Sequence, residues 1–274
     1  MGKALEIIAG FVTAPSTTFT ALTMAAGNSL TVRNAPLESA ITLLQVWALN
    51  QAAGTLRLRS PRLHDNVQGI RLDITLGDPR PLLPFGVGQK LIPQDALIAE
   101  LTGSATGGDI EQAALLIFYA NLAGIDARLA SIEDVLRRAV NLISVENTIT
   151  NGTAGGWSAE EAINAEFDLL KANTDYALIG YLIDAACTAV RWRGADTGNL
   201  GVGGPGDVLA RHVTADWFIR LSRAFNLPLI PVFNSANKAG ILVDVADDEN
   251  ATAHTITSLL VEIGPAGTVA PAAR

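Results

Sequence analysis

The 274-residue chain contains a single cysteine, Cys187. An intrachain disulfide is therefore excluded, and with it a small disulfide-stapled secreted fold; the usage fits folding in the cytosol. Charged residues are only 17% of the sequence, below the usual quarter, and the net charge is −8. That balance excludes a compact basic nucleic-acid-binding domain, and no direct nucleic-acid site is expected. No apolar run approaches the ~20 residues of a membrane-spanning helix. The longest, AALLIFYA at 113–120, stops at Asn121. The start, MGKALEIIAGFV, is interrupted by Glu6, so a cleaved signal peptide is not expected. An amphipathic N-terminal arm over 1–15 is expected instead, lying on another subunit or a membrane surface, with a first strand as the plain alternative.

Groupings that carry chemistry are also scarce. His64, His212 and His254 are the only histidines, and no two lie within five residues, so there is no local metal pair. GVGGPG at 201–206 matches a dinucleotide-loop glycine pattern, but Pro205 lies inside it and no periodic helix follows. It reads as a surface loop between strands. Cys187 sits in an apolar strand, AACTAV, and reads as a buried, inert thiol. The sequence has neither G-x-S-x-G nor a P-loop. The acidic run at 244–250 lacks the spacing of a defined calcium loop and reads as a solvated turn. NGT at 151–153 and NAT at 250–252 match the glycosylation sequon at near-chance frequency. The four tryptophans, Trp47, Trp157, Trp192 and Trp217, read as core or interface packing. No catalytic residue, cofactor site or metal site is expected.

What the chain does have is apolar material, 49% of residues, and an internal echo. TLRLRS at 55–60 returns as AVRWRG at 189–194, a shift of 193 − 59 = 134. Trp47, Leu49 and Asn50 fall at the same shift as Tyr181, Ile183 and Asp184. Downstream, PLLPF at 81–85 resembles PLIPVF at 228–233, and each is followed by a lysine, Lys90 or Lys238. ALIAEL at 96–101 then answers ILVDVA at 241–246, and AALLIFYANL at 113–122 answers TSLLVEIG at 257–264. The preserved order argues for a structural duplication.

The segments are short, β-branched and alternating, bounded by Gly, Pro, Asn and Asp. Strands are expected near 16–33, 40–60, 67–76, 81–87, 95–102 and 112–121, then near 139–149, 176–193, 215–222, 227–233, 239–247 and 254–263. A capping box of Ser158 and Glu161 predicts a helix through Ile163, Phe167 and Leu170, and a second helix is expected over 131–140. The fold class is all-β: two tandem antiparallel jelly-roll sandwiches with a few short decorating helices. The expected division is an arm at 1–15, a first jelly roll at 16–122, a connection at 123–137, a second jelly roll at 138–264 and a tail at 265–274. Arg57, Arg59, Arg191 and Arg193 should point away from their own cores, with Leu56, Leu58, Val190 and Trp192 inward.

On the paired segments LRLRS/VRWRG, LLPF/LIPVF and AALLIFYANL/TSLLVEIG, the chain resembles the double jelly-roll major capsid proteins of tailless internal-membrane phages, the tectivirus and corticovirus type. The resemblance is architectural, covers roughly 15–264, and implies a structural virion protein rather than an enzyme. It implies a homotrimer, a shell of trimers with icosahedral symmetry, contacts with other virion proteins, and contact with an internal viral membrane through the N-terminal arm. Such a protein is made in the host cytoplasm and resides in the virion. Three other readings stay open. One is a tandem β-sandwich binding module, adhesin or lectin-like. Another is a bicupin enzyme, disfavoured because no HxH is present. The third is a capsid protein of another fold, such as a tailed-phage shell, which the repeat argues against.

Overall fold

The computed structural model describes residues 2–33, 41–62, 67–74 and 79–265. The first nine strands are β1 (Gly2–Thr13), β2 (Thr20–Ala21), β3 (Thr23–Met24), β4 (Ile41–Leu49), β5 (Gly54–Arg59), β6 (Ile70–Ile74), β7 (Gln89–Leu91), β8 (Ile98–Leu101) and β9 (Ile110–Leu122). They form a five-stranded sheet, β3-β1-β9-β4-β7, and a four-stranded sheet, β2-β8-β5-β6. The rest of the chain gives β10 (Leu129–Ala130), α1 (Ile132–Arg138), β11 (Asn141–Thr150), β12 (Glu161–Ala162), β13 (Thr174–Ile183), β14 (Cys187–Arg193), β15 (Val202–Gly206), α2 (Arg211–Thr214), α3 (Trp217–Phe225), β16 (Ile230–Asn234), β17 (Leu242–Ala246) and β18 (Ala253–Pro265). Their sheets are β10-β16-β13-β18-β11 and β12-β17-β14-β15.

Setting aside the edge additions β3 and β10, both halves have one strand order. In each, the first, eighth, third and sixth strands form one sheet, and the second, seventh, fourth and fifth form the other. This is the double Greek key of a jelly roll, and it occurs twice. The echo in the sequence is therefore structural for β4/β13, β5/β14, β8/β17 and β9/β18. It is not structural for PLLPF. PLLPF is a loop ahead of β7, whereas PLIPVF, with prolines at the same two places, supplies β16.

Several other expectations give way. Residues 2–13 are not an arm: β1 pairs with β9 along its length, from Gly2↔Leu122 to Thr13↔Ile110. Glu6 does not break this strand, because Arg33 grips both its carboxylate oxygens at 2.8 and 2.6 Å and Tyr119 Oη donates to it at 3.1 Å. The stretch 16–33 contributes only the two-residue strands β2 and β3. The expected strand at 215–222 is largely α3, whose buried Trp217, Phe218 and Leu221 recur at helical spacing and whose end is set by Asn226 at φ 51°. No helix follows Ser158. Its Oγ accepts from Val245 N at 3.0 Å, and Glu161 and Ala162 pair as β12 with β17. The second expected helix is present as α1, where Ser131 Oγ accepts from Asp134 N at 3.1 Å. GVGGPG is not a surface loop. Its last five residues are β15, buried throughout, and a Cβ on Gly203 would lie 2.0 Å from Val190 O. His64, part of the expected strand at 67–76, and most of the tail at 265–274 lie outside the described residues.

The two sandwiches share one continuous apolar core. β1 packs on β15, and β4 and β9 pack on β14, so the five-stranded sheet of the first sandwich lies on the four-stranded sheet of the second. Trp47 Nε1 donates to Thr188 O at 2.6 Å across this contact, and Ile7 N donates to Gly201 O at 2.8 Å. Trp217 closes one end by meeting Trp47 edge-on, with ring centroids 6.0 Å apart.

Candidate functional site

The repeated arginine strands define matched surfaces. On β5, Leu56 and Leu58 are buried, while Arg57 and Arg59 turn outward. On β14, Val190 and Trp192 are buried in the core, and Arg191, itself buried, and the half-buried Arg193 lie on the other face of the strand. Each arginine strand runs beside an acid on the neighbouring strand: Arg57 is level with Glu100 on β8, and Arg191 with Asp244 on β17. Arg57 Nε reaches Glu100 at 2.6 Å, and Arg59 adds bonds of 2.8 and 2.7 Å. Arg191 grips Asp244 in two parallel bonds of 2.7 and 2.6 Å. An aromatic ring covers each guanidinium. Phe19 lies 3.9 Å from Arg57, and Trp157 lies 3.8 Å from Arg191. Phe19 directly precedes β2, and Trp157 stands shortly before β12, the same place in the two jelly rolls.

The surroundings of the two sites differ. Trp157 Nε1 donates to Asn28 Oδ1 at 3.0 Å, so the first sandwich caps the Arg191 site. At the Arg57 site, Val67 O accepts from Arg57 at 3.2 Å, no residue of the second sandwich contacts the pair among the described residues, and Arg71 also faces the Phe19 ring, at 5.3 Å. The carboxyls report the contrast. Burial pushes Asp244 up, and Arg191, with a smaller contribution from Arg193, does not fully offset it. Burial also acts on Glu100, but the bonds from Arg59 and Arg57 outweigh it and hold that carboxyl below its usual range.

The residues weighed for chemistry do not converge. Among the described residues, no group of three or more His, Cys, Asp or Glu side chains is arranged to hold a metal ion. His212 is exposed on α2, and His254 is buried on β18 with Nε2 2.9 Å from Asp247. Cys187 is buried, and burial pushes its thiol well up. The acidic run is not a solvated turn throughout. Asp244 and Asp247 are buried, and Asp248 is bonded to Gln51 of the first sandwich. Asn151 is buried, whereas Asn250 is exposed. Glu100 and Asp244, which complete the arginine sites, were signalled in the sequence by the acid shared between ALIAEL and ILVDVA. Among the described residues, no helix is long and apolar enough to cross a membrane.

No family model and no curated protein matches the chain. Solved structures that align with it include the PBSX exported protein XepA, at 10% identity over 93% of this chain and 86% of that one, with a TM-score of 0.28. The major capsid protein P2 from bacteriophage PM2 aligns at 8% identity over 95% and 97%, with a TM-score of 0.21. A chain of Sulfolobus turreted icosahedral virus aligns at 10% over 96% and 82%, with a TM-score of 0.22. At such scores the assignment of the fold rests on the strand order of the chain itself.

Proposed function

We propose that the chain is a structural virion protein, a double jelly-roll capsid subunit that forms homotrimers and tiles an icosahedral shell. One observation carries the proposal. Within the chain, the five-stranded sheet of the first sandwich covers the arginine face of the second. At the opposite ends, the arginine face of the first and the β11–β18 side of the second five-stranded sheet keep accessible positions, while α2 and α3 pack on β13 and β16. The accessible pair is the arginine face of the first sandwich and the β11–β18 side of the five-stranded sheet of the second. A contact that recurs between unlike faces is heterologous, and rotation closes it into a ring. Three chains with two similar sandwiches each supply six near-equivalent positions, an outline suited to tiling.

The open faces have complementary character. The first presents Arg57, Arg59 and Arg71 beside Glu100 and Asp73. The second presents Ser144, Glu146, Thr148 and Thr150 on β11, with Thr255, Thr257, Leu259 and Val261 half-buried on β18. The division into two units joined through 123–137 belongs to the proposal, as do residence in the virion, synthesis in the host cytoplasm, and contacts with other virion proteins. Residues 2–13 are used in β1, so contact with an internal membrane is not routed through them. The role proposed is mechanical, with no catalytic chemistry.

A second reading, a binding module, is favoured by one feature. A depression of ≈ 490 Å³ on the open arginine face is lined by Ser16, Thr17, Phe19, Thr55, Arg71 and Asp73 among others. Light scattering on the purified chain at micromolar concentration, followed by electron microscopy, separates the two. A trimer with a near-hexagonal outline is expected. A monodisperse monomer that never assembles would overturn the capsid reading and favour the binding module.

A further inference from the structure

Buried side-chain oxygens normally accept a hydrogen bond, and each exception calls for a partner that is absent from the protein itself. Three such oxygens, Asn147 Oδ1, Glu161 Oε2 and Asn164 Oδ1, belong to one corner of the second sandwich. Asn147 is fully buried. Its Nδ2 donates to Ala162 O at 3.1 Å, and its amide lies by the Glu161 carboxylate and partly offsets the upward push on it. Its Nδ2 is thus engaged while its oxygen is left without a donor. The turn that follows β12 folds back on the same strand: Glu166 accepts from Thr148 N, next to Asn147 on β11. Glu161 and Glu166 repel one another, and burial and then this repulsion push the Glu161 carboxyl up. No lysine or arginine forms an ion pair with either carboxylate among the described residues; Arg193 pairs with Glu160 instead. The corner therefore concentrates acceptors and negative charge and offers no cation.

We propose that this corner is a calcium site, with Glu161, Glu166, Asn147 Oδ1 and Asn164 Oδ1 as protein ligands and water completing the shell. The donor set is all oxygen, two carboxylates and two amides, which suits a hard cation and disfavours zinc. Calcium takes six to eight oxygens in a flexible geometry, whereas magnesium demands a near-ideal octahedron and gives up its water reluctantly. The position supplies a purpose. β11 is the edge of one sheet and β12, a strand of two residues, the edge of the other. A cation bound by both would clip the two sheets together along the open side of the sandwich. This inference is independent of the capsid reading.

The test uses the full chain stripped with chelator, then titrated with calcium or magnesium by calorimetry and in thermal unfolding. Binding near 10⁻⁴–10⁻³ M is expected for a site with this few charged ligands, about the range of weak modules. At ~10 mM calcium the unfolding midpoint should rise by roughly 2–6 °C, with little change in magnesium. Glu161→Gln should abolish the calcium-dependent rise. Without calcium this variant should be no less stable than the parent, because the carboxylate repulsion is gone, which separates lost binding from lost folding. No calcium heat and no midpoint shift would overturn the proposal. So would a rise that survives Glu161→Gln and disappears in Glu249→Gln, since that places the ion at the acidic loop.

Discussion

Without their edge additions the two five-stranded sheets share one strand order, and their strands differ in surroundings. In the first sandwich, every residue of β4 is buried, as is β9 from Glu111 to Tyr119. That sheet has a core on one side and the second sandwich on the other, and its strands read as near-continuous apolar runs. In the second sandwich, β11 and β18 alternate between buried and accessible positions, and their outer positions are mostly threonine, serine and glutamate. One sheet is built for a contact made once, during folding. On the other, β11 and β18 keep polar positions accessible beside the half-buried Leu259 and Val261, the face that the proposed assembly would use. The same division separates Arg191 and Asp244, closed under the first sandwich, from Arg57 and Glu100, which no second sandwich covers among the described residues although Glu100 itself is buried.

The largest effects should come from breaking the closed side. Trp47→Ala removes a fully buried ring and its bond to Thr188, and should cost about 3–5 kcal/mol in denaturant unfolding. Leu259→Ala, on the outer face of the other five-stranded sheet, should cost the free subunit under about 1.5 kcal/mol. Equal losses would mean that the two sheets are not in different environments. Arg191→Ala leaves Asp244 charged and buried, and should cost about 3–5 kcal/mol. Arg57→Ala leaves the buried Glu100 still paired through two bonds to Arg59, and a smaller cost, about 1 kcal/mol, is expected. If Arg57→Ala were as costly as Arg191→Ala, the open site would be covered within the chain.

Assembly should respond in the reverse sense. Leu259→Arg and Glu146→Arg should leave the monomer folded, by circular dichroism, yet weaken self-association at least about tenfold by sedimentation. Association of the variants that matches the parent would exclude the β11–β18 face from the contact.

The smallest effect is one of pH, and it tests the closed contact alone. The Asp248 carboxyl, bonded to Gln51 across the sandwiches, is pushed up to about 7 by burial and then by Asp247 beside it. Burial pulls the His254 imidazole down, but the bond to Asp247 outweighs this and the net shift is upward. A carboxyl raised in the fold contributes stability that is complete below its unfolded value of about 3.9 and is lost as pH rises through about 7. A raised imidazole contributes stability that is complete below about 6.5 and lost as pH rises through its folded value. Both make the protein less stable as pH rises through neutrality. The midpoint at pH ~8 should lie a few degrees below that at pH ~6, and Asp248→Asn should flatten the difference. A midpoint that climbs over that interval would contradict the assignment.

Much of this arrangement was legible in the residues. Alternation in TLRLRS and AVRWRG determined which side chains enter each core, because successive residues of a strand face opposite sides whatever packs there. The order of the repeated segments carried the duplication, since equal jelly rolls need the same strands in the same sequence. Local pattern misled where the deciding partner was far away. Glu6 looked like an interruption until Arg33 and Tyr119 neutralised it. Ser158 and Glu161 had the spacing of a helix cap, but β17, some 80 residues on, offered backbone pairing that took the segment instead. Trp217 and Phe218 alternated well enough for a strand, yet Trp47 and β13 received them as one face of a helix.

The sequence by itself determined the fold of each half, because β alternation and turn residues act over a few positions. Only the tertiary structure decided which of two like surfaces was sealed and which was left open. That choice depends on contacts such as Trp47 to Thr188 and Gln51 to Asp248, made between residues 141 and 197 positions apart, where no local period carries information.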